Sequence, residues 1–372
     1  MKKRLTAILL AAALMLSLCA CNSSAGVAAQ PAQPAQSSES PADELPKIGL
    51  IIPGGRGDMS ICDALYNGVV AAQALCDFTF DYAEVINASD PEYFLREFAD
   101  SGEYDLIIVA CFTFFDSMSI IPEEYPEQKF LAWDMADVAY DDNVMYGGFM
   151  HETTSFIAGV FTALMDAKGE LKIDGETYTW TPTGKCAVLT NGDDPLDMRA
   201  SVGYESGAKY VNPDFEVVRG YTGTYTDQAK AKELAMSMYT NDINFILTCS
   251  GSANYGIVEA AKELAGAKFA IGFDQDTNST DTHVVCSALN DTAGALASLI
   301  AGYIKDGDFK GGELREFGYI TGNQSLALRP GLEIPDEVQS ALDAIIAQVA
   351  GGELKVPANY DELKAFNTTY QG

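Results

Sequence analysis

Aspartates and aromatic residues recur in this chain where short apolar segments end. Asp134 closes one such segment, Asp274 closes another, and Tyr225 lies a few residues beyond a third. An ionised carboxylate accepts hydrogen bonds from hydroxyl and N–H groups, and bonds to a charged group contribute about 1.5–3 kcal/mol each. Aromatic rings stack on flat molecules. These residue types at segment ends indicate a binding site for a small polar ligand.

The apolar segments alternate with helical patterns, and this alternation predicts the elements that position the site. Strand, helix and strand at this spacing indicate right-handed βαβ units and mainly parallel sheets in an α/β fold. The predicted strands cover residues 47–52, 78–85, 105–111, 129–134, 143–149, 185–191, 216–221, 244–250, 268–274 and 283–289. The predicted helices cover residues 152–166, 226–239, 253–264, 292–305 and 336–350. In such sheets ligands bind at the carboxyl ends of the strands.

The number of strands predicts two lobes. Ten strands exceed what one compact sheet usually holds, and the pattern starts again near Lys185 after a polar break at 168–184. We therefore expect two doubly wound parallel-sheet lobes joined by a hinge, with an interlobe cleft that brings both sets of strand ends face to face. The predicted parts are an N-terminal lobe of 47–148 plus about 285–330, a C-terminal lobe of 149–284, and a C-terminal helical segment, 331–372, packing on the lobes.

The N-terminus has the pattern of a lipoprotein signal peptide. Residues 2–4 are basic and 5–18 are apolar, a run shorter than the roughly 20 residues that span a membrane. The Leu-x-Ala-Cys ending resembles the bacterial lipobox, which predicts a signal peptide at 1–20 and lipidation of Cys21. Residues 21–46 are small, polar and proline-punctuated, which predicts a lipid-anchored disordered linker. The alternative is a secretory signal with incidental cysteines.

Composition argues against several classes of function. The chain has 53 acidic and 23 basic residues, a formal net charge of -30, so nucleic acid is an improbable partner. With two histidines and no CxxC pair among the six cysteines after Cys21, we expect no zinc site. Those cysteines could form disulfides, although four of them sit in strand-like runs as small buried hydrophobes would. The glycines of Gly54–Gly57 do not complete a GxGxxG motif, whose third glycine is missing, and neither a P-loop nor a GxSxG elbow occurs, so we expect no cofactor and no enzymatic activity.

A set of short motifs resembles one family. The segment 58–62, Asp-Met-Ser-Ile-Cys, is followed by Tyr66 and Gly68, and Tyr-Pro-Glu-Gln-Lys-Phe precedes Asp134. Further motifs follow in order at 143–144, 149, 152–159, 203–208, 211–213, 223–227 and 271–276. Together, over about residues 47–330, they resemble the basic membrane protein (BMP) family of extracytoplasmic lipoproteins, which are similar to purine-nucleoside receptors of ABC transporters. The resemblance implies a fold of the type I periplasmic-binding-protein kind, with an ABC permease as partner.

The resemblance also implies which residues bind the ligand. Asp58, Asp134 and Asp274 would line the cleft, and Tyr66 and Tyr225 would form an aromatic pair around a purine. The complete predicted set is Asp58, Ser60, Cys62, Tyr66, Asp134, Asn191, Tyr225, Asp274 and Asn290. Each position has a structural alternative: a helix N-cap for Asp58 and Ser60, turn residues for Asp134 and Asp274, and core packing for Tyr66. Trp133 points to the other face of its strand and is expected in the core.

Two departures from the family pattern leave the ligand open. Asn290 stands where the family has a Lys that would reach sugar hydroxyls, and Cys62 stands where it has an Asn beside the base. A modified nucleoside, a nucleobase or another aromatic heterocycle is therefore also compatible, whereas an acidic pocket disfavours nucleotides. We expect a monomeric receptor at the extracytoplasmic face of the cell membrane. The alternatives are a sugar receptor of the same architecture, a ligand sensor, or a surface nucleoside hydrolase.

Overall fold

The computed structural model describes residues 45–57, 61–87, 90–135, 141–264 and 266–371. The predicted signal peptide, residues 21–44 of the predicted linker with Cys21, and the candidate ligand residues Asp58 and Ser60 lie outside the described residues.

Strands and helices alternate along most of the described chain. The strands are β1 (Lys47–Ile52), β2 (Thr79–Glu84), β3 (Leu106–Ala110), β4 (Phe130–Trp133), β5 (Val144–Phe149), β6 (Glu170–Ile173), β7 (Glu176–Thr179), β8 (Lys185–Thr190), β9 (Glu216–Tyr221), β10 (Phe245–Cys249), β11 (Phe269–Asp274), β12 (Val284–Asn290), β13 (Leu314–Phe317), β14 (Gln324–Leu328) and β15 (Leu332–Glu333). The α-helices are α1 (Ile61–Gln73), α2 (Pro91–Ser101), α3 (Phe115–Met118), α4 (Ile121–Glu124), α5 (His151–Lys168), α6 (Pro195–Val211), α7 (Gln228–Tyr239), α8 (Asn254–Leu264), α9 (Thr292–Asp306), α10 (Asp336–Ala350) and α11 (Tyr360–Ala365).

Two six-stranded sheets form the cores of two lobes. The first has the order β13-β5-β4-β3-β1-β2 and is parallel throughout. The second has the order β14-β12-β11-β10-β8-β9, and within it only β14 runs antiparallel to its neighbour. Central strands such as β3 are buried along their whole length, because helices cover both faces of a parallel sheet. The predicted two-lobed α/β fold is confirmed.

The helices cover both faces of each sheet. In the first lobe, α1 and α9 pack on one face and α2 with α3 on the other. In the second lobe, α5, α6 and α10 share one core, while α7 and α8 share the other. Trp133 is fully buried in the core of the first lobe, as predicted. Cys186, Cys249 and Cys286 are buried free thiols, so they take the hydrophobic rather than the disulfide alternative.

The chain crosses between the lobes three times, and one crossing differs from the expected position. The crossings are β5 to α5, β12 to α9, and β13 to β14. Strand β12 pairs with β11 and β14 in the second sheet, so the return to the first lobe begins after Asn290 and not at about residue 285. Strand β14 likewise belongs to the second lobe, because its backbone hydrogen bonds satisfy the outer edge of β12. The polar break at 168–184 contains the β6–β7 hairpin, which pairs with β15.

Helices α5 and α6 approach so closely that their backbones touch. A Cβ atom placed on Gly159 would lie 2.1 Å from the carbonyl oxygen of Tyr204. One on Gly203 would lie 2.2 Å from that of Glu152, and one on Gly207 would lie 2.0 Å from that of Phe156. No side chain fits at these three positions, which explains the glycines within the motifs at 152–159 and 203–208.

We expect Gly207→Ala to lower the free energy of unfolding by about 1–3 kcal/mol, because the new methyl group overpacks a backbone contact. The measurement is the urea midpoint at unchanged m-value. Gly302→Ala is the matched control, since a Cβ atom on Gly302 would lie 3.8 Å from its nearest neighbour, Asp308. That helical substitution should leave stability unchanged or raise it by about 0.5–1 kcal/mol. Equal losses in both variants would contradict the close-packing explanation.

Candidate functional site

Three described non-glycine residues at the ends of strands in the two six-stranded sheets have left-handed backbone conformations. Cys111 follows β3 with φ 67°, Asp134 follows β4 with φ 50°, and Asp274 ends β11 with φ 72°. Such conformations cost of order 1–3 kcal/mol and concentrate at functional sites. All three lie at carboxyl ends of central strands, the edge where doubly wound sheets bind ligands. Backbone strain therefore marks the same edge that the aspartates marked in the sequence.

Asp134 is held at this edge by two contacts. Its Oδ1 accepts a hydrogen bond from the backbone N–H of Phe149 at 3.1 Å and lies 3.4 Å from Nε2 of His151. Its side chain is 7% exposed and that of His151 is 6% exposed. His151 begins α5 in the second lobe, so this contact joins a strand end of the first lobe to the first crossing. Oδ2 of Asp134 is left as a second acceptor.

Asp274 reaches the same place from the second lobe. Its Oδ1 accepts a hydrogen bond from Nδ2 of Asn290 at 3.0 Å, and that Nδ2 lies 3.4 Å from Nδ1 of His151. Oδ1 of Asn290 accepts a hydrogen bond from Nε2 of Gln324 at 2.8 Å. We call these five side chains the hinge network: Asp134, His151, Asp274, Asn290 and Gln324.

The electrostatics of the hinge network follow from burial and mutual proximity. Burial raises the pKa of Asp274, although the amide of Asn290 and the imidazole of His151 oppose this shift. Burial disfavours a charge on His151, yet the carboxylates of Asp134 and Asp274 outweigh it and raise the pKa of His151 above its ordinary value of 6.5. The two lobes therefore share a polar cluster whose charges depend on one another.

A second polar cluster lies beside the hinge network. Arg199 on α6 donates two hydrogen bonds to Glu152, at 2.6 and 3.0 Å, and a third to Glu316 at 2.7 Å. The side chain of Glu152 is only 2% exposed. Because Glu316 lies on β13 of the first sheet, Arg199 connects the two lobes. We call these three residues the arginine clamp.

Other predicted residues lie at strand ends of the second lobe. The Tyr225 hydroxyl donates to Oδ2 of Asp194 at 3.4 Å, and the residue is 47% exposed, so its ring is accessible. Asn191 follows β8, and its side chain makes no hydrogen bond within the described ranges. Nearby, Asp197 is fully buried and accepts the backbone N–H of Gly192 at 2.7 Å. These residues belong to the same strand-end edge as Asp274.

The remaining predicted residues lie elsewhere in the first lobe. The Tyr66 ring contacts Tyr82 and Phe80, and the Arg56 guanidinium lies 3.5 Å above its centre. Cys62 is 4% exposed and belongs to the first-lobe core. The structure thus brings together Asp134, Asp274 and Asn290, while the ring contacts given for Tyr66 and the hydrogen bond given for the Tyr225 hydroxyl each stay within one lobe.

Two cavities adjoin these clusters. One of about 590 Å³ opens between the lobes next to Asn290, lined from the first lobe by Arg56 and Asn67 and from the second by Gln275 and Asp276. Another, of about 740 Å³, lies beside the arginine clamp and the C-terminal segment, with Met198 and Lys355 in its wall. Within the described ranges, no group of three or more His, Cys, Asp or Glu side chains is arranged to hold a metal ion.

Sequence reasoning missed His151, Gln324 and Arg199. His151 directly precedes the motif at 152–159, but a single histidine beside that motif gives no local signal of a contact with Asp134. Gln324 lies 171 residues from its partner Thr153 and has no local sequence signal. Arg199 was detectable only as a basic residue on the same face of α6 as Gly203 and Gly207, which follow it at intervals of four residues.

The carboxyl group of Asp197 makes stability pH-dependent. Burial, reinforced by the charge of Asp194, raises its pKa to about 7 from an ordinary 3.8. A raised pKa gives a stability contribution that is complete below about pH 4 and is lost as the pH rises through about 7. We expect Asp197→Asn to remove this loss, so that the free energy of unfolding, measured with urea, falls less between these pH values. Exposed Asp214→Asn should leave the profile unchanged; identical profiles for wild type and Asp197→Asn would contradict the prediction.

Comparison with known proteins identifies similar chains. The Bmp family model, described as "ABC transporter substrate-binding protein PnrA-like", matches residues 45–341. Basic membrane protein A of Borreliella afzelii is 26% identical over 328 residues, covering 87% of this chain and 94% of that protein. The ABC transporter nucleoside-binding protein BmpA of Lactococcus lactis subsp. cremoris is 26% identical over 276 residues, covering 70% of this chain and 73% of that protein.

Solved structures share the fold. A solute-binding protein of an ABC transporter system from Aeropyrum pernix superimposes with a TM-score of 0.71 at 23% identity, covering 86% of this chain and 96% of that one. The arabinose-binding protein AraP from Geobacillus stearothermophilus gives 0.57 at 14% identity, covering 79% and 98%. At these identities the likeness establishes the two-lobed fold alone. No helix in the described part of this chain is both long and apolar enough to cross a membrane.

Proposed function

The chain belongs to the Bmp family of PnrA-like ABC transporter substrate-binding proteins, and we propose that it captures a purine nucleoside or a related heterocycle between its lobes and delivers it to an ABC permease. Membership itself implies a small-molecule ligand and a permease partner, and the relative from Lactococcus lactis is named a nucleoside-binding protein. The finer proposal concerns the ligand, its site and the membrane anchor.

The observation that carries the ligand proposal is that Asp134 and Asp274 reach His151 from opposite lobes, Asp134 directly and Asp274 through Asn290. Each aspartate uses Oδ1 within the hinge network, and in this proposal Oδ2 accepts a hydrogen bond from a ligand hydroxyl. A ribose diol supplies two such donors. The half-exposed ring of Tyr225 supports stacking on a flat base. A ligand bound by both lobes stabilises the closed arrangement, as hinge closure requires.

The charges around the cleft favour a neutral ligand. The nearest guanidinium groups are already engaged, Arg56 with Asp63 at 3.6 Å and Arg199 within the arginine clamp. We therefore expect adenosine to bind more tightly than AMP, measured by isothermal titration calorimetry of each ligand. Tighter binding of AMP would contradict a site selective for neutral ligands.

A sugar is the second candidate ligand, and one observation favours it. Arg56 covers a face of Tyr66, so the described structure offers Tyr225 as an accessible ring without a matching second ring. A single ring suits a pyranose face better than a purine sandwich. A thermal-shift screen of the purified protein against nucleosides, bases and sugars separates the two, because a ligand at 100 times its Kd stabilises by about 2.7 kcal/mol. A shift with sugars alone would overturn the nucleoside proposal.

The relatives' names and the family indicate a membrane-associated extracytoplasmic protein, and we propose that a lipid on Cys21 anchors a monomer there. Cys21→Ser should move the protein from the membrane fraction to the soluble fraction, and it should abolish labelling with radioactive palmitate. Cys19→Ser is the matched control, since Leu18 precedes it and makes it a poorer lipobox cysteine. Retention of labelled Cys21→Ser in the membrane fraction would contradict the assignment.

A further inference from the structure

In the hinge network, the order of hydrogen-bond donors and acceptors is determined by one backbone carbonyl group. The carbonyl oxygen of Met150 can only accept, and it accepts a hydrogen bond from Nε2 of Gln324 at 2.9 Å. The same Nε2 donates to Oδ1 of Asn290 at 2.8 Å. Oε1 of Gln324 faces the hydroxyl of Thr153. These partners determine which end of the Gln324 amide is nitrogen, and therefore which end of Asn290 must accept.

The direction continues from Asn290 to His151. With Oδ1 of Asn290 accepting from Gln324, its Nδ2 faces Oδ1 of Asp274 at 3.0 Å and Nδ1 of His151 at 3.4 Å. An amide nitrogen only donates, so Nδ1 of His151 satisfies this contact only without a proton. The single proton of a neutral imidazole must then be on Nε2, where it faces Oδ1 of Asp134 at 3.4 Å.

Resting on the proposed function, we propose that His151 is a positioning residue of the ligand site, held by Gln324 and Asn290 as the Nε2–H tautomer that donates to Asp134. Its role is to hold Oδ1 of Asp134 so that Oδ2 remains for the ligand. The direction depends on all three crossings, because Met150 and His151 belong to the first, Asn290 to the second and Gln324 to the third. The imidazole of His151 thereby connects the interlobe hinge to Asp134, the carboxylate proposed to bind the ligand.

The groups that face His151 explain why the tautomer needs such control. Asp134 approaches from the end of β4, Asp274 from β11 and the amide of Asn290 from β12, while Arg199 and Asp197 act from α6. With the amide absent, either nitrogen could carry the proton, toward Asp134 or toward Asp274. A proton on Nδ1 would point at the Nδ2 hydrogens of Asn290, and the hydrogen bonds of the hinge network disfavour this arrangement.

Nuclear magnetic resonance tests the tautomer without any ligand. The chain has two histidines, so a long-range ¹H–¹⁵N spectrum of the full-length protein at alkaline pH contains two imidazole patterns, and His283→Gln identifies the one from His151. We expect the Nε2–H pattern for His151. In Gln324→Glu, a carboxylate cannot donate to Met150 or Asn290, and the pattern should shift toward Nδ1–H or a mixture. Gln339→Glu on α10 makes the same change outside the network and should leave the pattern unaltered.

Two results would overturn the assignment: an Nδ1–H pattern for His151 in the wild type, or an unchanged Nε2–H pattern in Gln324→Glu. The first result contradicts the donor and acceptor assignment of the hinge network. The second shows that Gln324 does not control the tautomer.

Binding of adenosine, measured by calorimetry, tests the positioning role. His151→Gln keeps a donor for Asp134 and an acceptor for Asn290, so its affinity should stay within a few-fold of wild type. His151→Phe loses both, and its affinity should fall about tenfold, the equivalent of one hydrogen bond. Wild-type affinity in a folded His151→Phe variant overturns the role. If the wild-type protein does not bind adenosine, the nucleoside proposal fails. The spectra of the ligand-free protein still test the tautomer of His151.

Discussion

Replacing Glu152 with alanine is expected to lower the free energy of unfolding by about 3–5 kcal/mol, because it leaves Arg199 buried without its main counter-charge. Glu152 is 2% exposed and receives two hydrogen bonds from the guanidinium. Among the residues that the structure describes, Glu316, itself 37% exposed, would be the one acid left to pair with Arg199. For a domain whose total stability is about 5–15 kcal/mol, this loss is large.

Urea denaturation followed by circular dichroism measures the effect. Glu259→Ala is the matched control, since Glu259 pairs with Lys262 on α8 with both side chains more than half exposed. Surface pairs of this kind contribute about 0–1 kcal/mol. The double variant Glu152→Ala/Arg199→Met should recover part of the loss, because it removes the uncompensated charge. A Glu152→Ala variant as stable as Glu259→Ala would contradict the role of the arginine clamp.

Asp274→Asn is expected to weaken ligand binding by about 10- to 150-fold, the loss of one hydrogen bond to a charged group. Asparagine tolerates the left-handed conformation at φ 72°, and its oxygen can still accept from Asn290. Because burial raises the pKa of Asp274, the ionised carboxylate costs stability at neutral pH, and removing it should not destabilise the fold. Binding and stability should therefore change in opposite directions.

Calorimetric titration with the ligand selected by the thermal-shift screen, together with urea midpoints, checks both parts. Asp242→Asn is the matched control, because Asp242 has a similar φ of 62° but follows α7 and precedes β10, at the amino-terminal edge of the second sheet. It should bind as wild type does. If Asp274→Asn bound equally well, Asp274 would be a turn residue and the ligand site would lie elsewhere.

The central strands were predictable because burial on both faces leaves a local signal. The run Leu-Ile-Ile-Val-Ala of β3 is apolar throughout and predicts a strand without tertiary information. The edge strands β13 and β14 were not predicted, since their half-exposed residues resemble loop sequence. The assignment of β12 to the second sheet depends on pairing with β11 and β14, which no local pattern encodes.

The residues of the candidate site also divide into those with a local sequence signal and those without one. Asp134 and Asp274 were predictable because a carboxylate at the end of a buried strand is visible in sequence. His151 and Gln324 were not, because their importance comes from contacts between segments far apart in the chain. The aromatic pair of Tyr66 and Tyr225 stays a prediction, since their described contacts lie in separate lobes.

The glycine contacts between α5 and α6 have a mechanical consequence. Shear motion needs side chains that can slide and repack, and backbones that touch at Gly159, Gly203 and Gly207 provide none. The two helices should therefore move as one rigid body, with bending confined to the three segments that cross between the lobes. A single distance between paramagnetic labels, one on each lobe, would then follow the opening angle of the whole receptor.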